Sequence, residues 1–91
     1  MARIHNLKVL PEYFEEQMAG RKRFEIRKND RDYQVGDQLN LREWDGKKYT
    51  GFCWIVWITY MTDYQQKPGY VVLGTTSENH DLLGDYGHNH D

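Results

Sequence analysis

The segment Gly20-Arg21-Lys22-Arg23-Phe24-Glu25-Ile26-Arg27-Lys28-Asn29-Asp30-Arg31 holds six basic and two acidic residues, in a chain whose formal net charge is −2. The positive charge is therefore a local choice. In an extended strand, side chains alternate between faces. That alternation predicts Phe24 and Ile26 on a buried face and Arg23, Glu25 and Arg27 on the opposite one. Apolar residues would anchor the segment while a row of charges stands on a fixed rail. Arg and Lys held in this way suit a phosphate or a polar base edge.

Each charged residue has an ordinary reading beside the chemical one. Arg21 and Lys22 follow a helix end, where cations favourably meet the negative end of the dipole. Glu25 and Arg27 lie two apart on one strand face and could form a cross-strand ion pair that fixes register. They could equally be a cleft pair, with Arg27 gripping an anion and Glu25 accepting from a base amine. Asn29 and Asp30 read as a turn, because Asn and Asp bond their own backbone there, whereas Arg31 could reach a phosphate. Gly36-Asp37 reads as a structural turn. Trp54 and Trp57 read as core. Trp44 ends a strand beside a hairpin and is the best candidate to stack on a base. His5 alternates out of phase with Ile4, which predicts a polar face of the first strand.

The elements that must position these groups follow from local signals. Residues 4 to 9 read as a strand. Pro11 opens a helix, since its missing N–H would be unpaired at that position anyway. Leu10, Phe14 and Met18 form one apolar stripe, and Gly20 is a left-handed cap. Residues 23 to 28 are the second strand and 38 to 44 the third. Asp45-Gly46 is a hairpin signal. The fourth strand, 49 to 61, is apolar on both faces and is expected to be central or bent. Pro68-Gly69 breaks the chain before a last strand at 70 to 73. This order predicts an α+β, mainly β fold: a five-stranded pseudo-barrel with one helix packed on it.

Ninety-one residues make one domain, expected over residues 1–75, followed by a mobile acidic tail at 76–91. The tail holds His80, His88 and His90 among Glu78, Asp81, Asp85 and Asp91. A His-x-His pair can catch a transition metal adventitiously, but no ordered four-ligand site is implied. Aromatic residues are 14% of the chain, which helps a small domain bury enough surface. The single cysteine, Cys53, lies in an apolar run and reads as an inert buried thiol in a reducing compartment. No apolar run is long enough to span a bilayer, and the first residues lack the apolar core of a signal peptide. A cytoplasmic protein is expected. There is no Walker loop, no zinc-ribbon cysteine set and no nucleophile-elbow serine, so the reading calls for no cofactor and no metal.

The helix, then Gly20-x-Lys22-x-x-Glu25-x-Arg27, then Val35-Gly36-Asp37, resembles the ASCH family of the PUA-like superfamily. The nearer resemblance is to a small ASCH-like family of bacteria and phages. It covers roughly residues 4 to 74 and rests on His5-x-Leu7-Lys8, Pro11-Glu12-Tyr13-Phe14, the run from Phe24 to Arg31, and Gly36-Asp37. The resemblance implies a pseudo-barrel with a cleft beside the helix, lined by the motif, and RNA or modified bases as ligands. It also makes His5, in the N-terminal signature, a candidate site residue. A more distant ASCH branch hydrolyses acetylated cytidine with a Lys, a Thr three residues later and a Glu further on. Lys22 matches that Lys, but Glu25 stands where the Thr nucleophile would be.

The expectation is an RNA- or nucleotide-binding module with a basic cleft, in which no bond is cleaved. Its ligand-binding residues would be Lys22, Glu25, Arg27, Asn29, Arg31, Trp44 and His5. Single-stranded or looped RNA fits best, because unpaired bases can be splayed into a cleft. The first rival is a hydrolase of a modified, acylated nucleoside with Lys22 and Glu25 as an acid–base pair. The second is a protein-interaction module whose basic strip meets an acidic partner.

Overall fold

The computed structural model describes residues 2–78. The chain runs through β1 (Ile4–Val9), α1 (Pro11–Met18), β2 (Phe24–Lys28), β3 (Gln38–Trp44), β4 (Tyr49–Thr62) and β5 (Tyr70–Thr76). The fold is α+β and mainly β, as expected: a five-stranded sheet curled into a half-barrel, with one short helix. The strand order is β1-β3-β4-β5-β2. β1 runs parallel to β3, and every other pair is antiparallel. After α1 the chain runs back along β2, which is opposite in sense to β1 and β3, and this return allows that parallel pairing.

The long β4 is the spine. Its first half pairs with β3, from Tyr49 opposite Trp44 to Trp57 opposite Gln38. Its second half pairs with β5, and the register shifts between Ile58 and Tyr60. That irregularity reverses which side chains face inward: Val56 and Ile58 are buried, Tyr60 is exposed, and Met61 packs against the core. An extra residue in one strand bends it and strengthens its twist, so the bulge curls the sheet. β5 is longer than the sequence signals indicate. Thr75 and Thr76 belong to it, and Thr75 is buried. The tail residues beyond 78, including His80, His88 and His90, lie outside the described residues.

The core is formed by alternate residues. Leu7 and Val9 of β1, Leu39 and Leu41 of β3, Val56 and Ile58 of β4, and Val71 and Leu73 of β5 close around Phe14 and Tyr33. Helix α1 starts at Pro11 and ends in a reversal at Gly20, whose φ of 78° suits glycine. The Gly20 N–H donates to the Gln17 carbonyl, and the Arg21 and Lys22 N–H groups both donate to Glu16. Only part of the expected stripe is buried. Phe14 enters the core, whereas Leu10 and Met18 are exposed and Gln17 is buried instead. The helix turns its 14/17 edge inward: it packs on β3, and Gln17 reaches the start of β2 at Phe24 and Glu25.

Three further expectations are corrected. In β2 it is Glu25 that is buried, at 4% exposure, while Phe24 and Ile26 are 42% and 52% exposed. The ladder explains this. Glu25 pairs with Leu73 and Arg27 with Val71, both inward-facing residues of β5. His5 shares the inner face of β1 with Leu7 and Val9, so it is buried while Ile4 is exposed. Cys53 is exposed, because it lies in the part of β4 that β5 does not reach.

Candidate functional site

Two strands end the half-barrel, β1 on one side and β2 on the other, and they do not pair with each other. Arginines bridge this open seam. Arg27 Nη2 donates to the Lys8 carbonyl at 3.0 Å, and Arg31 Nη1 donates to the Asn6 carbonyl at 2.6 Å. Arg3 Nη2 donates to the Arg31 carbonyl at 2.7 Å and also to the Asp32 carbonyl. Guanidinium groups thus satisfy backbone acceptors along an edge that no described strand covers.

Near the start of the helix the seam widens into a cleft of about 310 Å³ lined by Lys8, Val9, Leu10, Tyr13, Lys22, Phe24, Glu25, Ile26 and Arg27. Val9, Leu10, Tyr13, Phe24 and Ile26 supply apolar wall. Two cations, Lys22 and Arg27, meet a single carboxylate, Glu25. Glu25 Oε2 accepts from Lys22 Nζ and from Gln17 Nε2, both at 2.7 Å. Its Oε1 accepts from Arg27 Nε at 3.1 Å, and the Nη2 of the same guanidinium lies 3.0 Å away as part of the ion pair. Gln17 and Lys22 also donate to the Phe24 carbonyl, at 2.9 and 2.7 Å. Three hydrogen bonds therefore hold a buried carboxylate, and the carboxylate in turn fixes two cations. Such a cluster keeps its geometry without a ligand, because a buried carboxylate that loses a partner is costly.

Lys22 is held on three sides. Its ammonium lies 4.8 Å from the Phe24 ring centroid and 6.0 Å from that of Tyr13, which adds cation–π attraction. Lys22 and Arg27 both remain partly accessible, at 19% and 27% side-chain exposure. The site is thus a pair of partly exposed cations about one buried carboxylate, beside aromatic wall. It can take an anion with a flat or apolar body.

The structure brings together Lys22, Glu25 and Arg27, as the motif spacing suggested. The other candidates lie elsewhere. Asn29 Oδ1 accepts from the Tyr33 N–H at 3.2 Å, which is the turn reading. Arg31 faces a smaller hollow further along the seam, shared with Arg27, Lys28, Asp30 and Tyr33. Trp44 is outside the cleft but adjoins it through Lys8, whose ammonium lies 4.1 Å from the Trp44 ring. Arg21 is a surface partner of Glu16, with contacts of 2.7 and 3.2 Å. That bond holds the Glu16 carboxyl below its usual range.

His5 belongs to a separate buried pair. Its Nε2 lies 2.8 Å from Asp37 Oδ2, and its ring meets Tyr33 edge-on at 4.7 Å. The Asp37 carboxylate also accepts the Arg3 N–H at 3.1 Å and the Gln34 N–H at 3.0 Å. Burial pushes the Asp37 carboxyl up, but the hydrogen bonds from His5, Arg3 and Gln34 outweigh it and hold the group below 3.8. Asp37 does more than turn the chain: it ties β1, β3 and the preceding loop together. Burial raises the Tyr33 hydroxyl above the ordinary tyrosine value. Among the described residues, no group of His, Cys, Asp and Glu is placed to hold a metal.

Gln17, Tyr13 and Lys8 are cleft residues that the motif reading did not single out. Gln17 carried a signal: it stands three residues after the buried Phe14, on the side of the helix that must face the protein. Tyr13 and Lys8 stand in the runs that carry the family resemblance, but their place in the cleft depends on how β1 and β2 come together. No described helix is long and apolar enough to cross a membrane.

Comparison with known proteins places the chain among its relatives. Residues 4–75 match the family described as "Domain of unknown function (DUF3850)". The chain is 40% identical over 86 residues to the "Uncharacterized 12.9 kDa protein in GpA 3'region" of Escherichia phage P2, an alignment covering 93% of this chain and 73% of the phage protein. The matched region holds every strand but the final residue of β5, the helix and the whole Lys22–Glu25–Arg27 cluster, and the chain belongs to the DUF3850 family.

Proposed function

We propose that this protein is a PUA-like, ASCH-type module of the cytoplasm that binds RNA or a nucleotide in the cleft between β1 and β2. The observation that carries this reading is the preset pair of cations, Lys22 and Arg27, held about Glu25 beside Tyr13 and Phe24. A nucleotide offers what that arrangement can take: an anionic phosphate for the cations and a flat ring for the aromatic wall. The resemblance of the run from Pro11 to Asp37 to ASCH proteins, for which RNA binding was proposed, supports the same class of ligand.

Glu25 has a narrower part than a base reader. Its lone pairs are occupied by Gln17, Lys22 and Arg27, so its work is to orient the two cations. The same saturation disfavours hydrolysis of an acylated nucleoside. Glu25 occupies the position where a hydroxyl nucleophile would be needed, and it is engaged in holding Lys22.

Titration of nucleoside monophosphates, followed by ligand-observed NMR and calorimetry, tests the proposal. Binding should weaken at least tenfold in Lys22→Gln, with a thermal melt to confirm that the variant is folded, because Lys22 also pairs with the buried Glu25. Binding of no nucleotide, or binding that ignores Lys22→Gln, would overturn it. Capture of an acidic protein by the same cleft would favour an interaction module, and release of an acyl group would favour a hydrolase.

A further inference from the structure

We infer that the outer face of the β3–β4 hairpin extends the cleft into a track for single-stranded RNA, so that the ligand is an oligonucleotide and not a lone nucleotide. This rests on the proposed function and names its ligand class. The joint is Lys8, which lines the cleft and at the same time lies 4.1 Å over Trp44. Lys8 pairs across the ladder with Arg42, and Trp44 with Tyr49. Trp44 and Tyr49 meet edge-on at 5.0 Å, and the Arg42 guanidinium lies 3.8 Å over the Tyr49 ring. Two cations and two aromatic rings thus form one patch that begins at the cleft rim.

This patch differs from an ordinary charged surface in what its cations do. Among the described residues, Lys8 and Arg42 have no carboxylate partner, and neither do Lys47 and Lys48 at the turn. The two carboxylates nearby are otherwise engaged. Glu43 accepts from the Thr50 hydroxyl at 2.7 Å, and Asp45 accepts the N–H groups of Lys47 and Lys48 at 2.8 and 2.9 Å. Four cations without ion pairs, Lys8 on β1 and three on the aromatic hairpin, match a phosphate backbone with unstacked bases. A guanidinium already resting on Tyr49 is ordered before a base stacks on it, which lowers the entropic cost of binding. Among the described residues, β5 pairs with β4 only from Trp57 onward, so no described strand pairs with that edge of residues 49 to 56. RNA is the occupant because its unpaired bases are read by stacking and by edge contacts in clefts of this kind.

The test compares adenosine monophosphate with a dye-labelled rA4 oligonucleotide and its deoxy counterpart, by calorimetry and fluorescence anisotropy on the full chain. The oligonucleotide should bind at least tenfold more tightly than the monophosphate, and the ribo form more tightly than the deoxy form. Arg42→Ala should lower oligonucleotide affinity roughly tenfold, within the range found for removing one stacking platform, and leave monophosphate affinity within about twofold. The double variant Lys47→Gln/Lys48→Gln, at exposed turn positions, should flatten the salt dependence of oligonucleotide binding only. Equal affinities for monophosphate and oligonucleotide, or no effect of either variant, would overturn the track while leaving nucleotide binding in the cleft intact. Equal binding of ribo and deoxy forms would overturn the assignment to RNA. Binding of neither ligand would overturn the track together with the function it rests on.

Discussion

Arg27 Nη2 donates to the carbonyl of Lys8 across the open edge of the half-barrel, at 3.0 Å, while the same guanidinium grips Glu25. One side chain therefore closes the seam between β1 and β2 and also sets one wall of the cleft. Binding and folding are coupled at this residue. Arg27→Ala should cost about 1.5–3 kcal/mol, the usual range for hydrogen bonds to a charged group. Arg27→Lys should recover little, because an ammonium is a point charge that cannot span both acceptors. Urea denaturation measures both; full stability in either variant would show that the seam does not depend on the guanidinium.

Glu25 organises the cations. Glu25→Ala leaves Lys22 and Arg27 facing each other without a counter-charge and leaves the Gln17 amide with only the Phe24 carbonyl. Removing one member of a buried ion pair typically costs about 3–5 kcal/mol. Because Lys22 and Arg27 reach solvent, about 2–3 kcal/mol is expected here. Glu25→Gln, which keeps the shape and part of the hydrogen bonding, should lose less. A Glu25→Ala variant as stable as wild type would mean that the cluster contributes nothing to folding.

Asp37 makes stability depend on acid. Its folded value lies below the unfolded value of 3.8. The unfolded chain therefore takes up a proton first as the pH falls, and stability drops through that interval. The contribution is fully present above 3.8 and is lost as the pH falls through the folded value. Asp37→Asn should be less stable at neutral pH and should show a flatter acid limb. Parallel acid limbs for the two proteins, measured by thermal melts between neutral pH and pH 2, would assign the acid sensitivity to other groups.

The helix docks through Phe14 and not through Met18. Phe14→Ala removes a buried ring and should cost about 3–5 kcal/mol. Met18→Ala, at a half-exposed position, should stay within about 0.5 kcal/mol. Chemical denaturation of the pair orders the two effects, and a larger loss at Met18 would reverse the helix orientation.

Cys53 is exposed on the β4 segment that lacks a β5 neighbour. The native protein should react with one equivalent of a maleimide without denaturant, as accessibility governs thiol modification. Protection of the thiol until unfolding would place that segment inside an interface.

Local signals along the chain determined the order of elements, and each did so by short-range chemistry. Pro11 and Gly20 bounded the helix because one lacks an N–H and the other tolerates positive φ. Asp45-Gly46 placed the hairpin, and Lys22, Glu25 and Arg27 stood close enough in sequence to converge in space. Which face of β2 and β1 turned inward was decided only in the tertiary structure. Phe24 and Ile26 are more apolar than Glu25, so alternation alone put them in the core. The ladder with β5 puts Glu25 opposite Leu73, and Gln17 and Lys22 arrive from the helix end to saturate it. His5 likewise turned inward because Asp37, far along the chain, was there to accept from it. A buried polar group is tolerated only with partners, and partners brought from other elements leave no mark on the local pattern. The seam arginines, the cleft and its continuation onto Trp44 and Arg42 are products of the sheet's curl, which brings edges together that are distant in sequence.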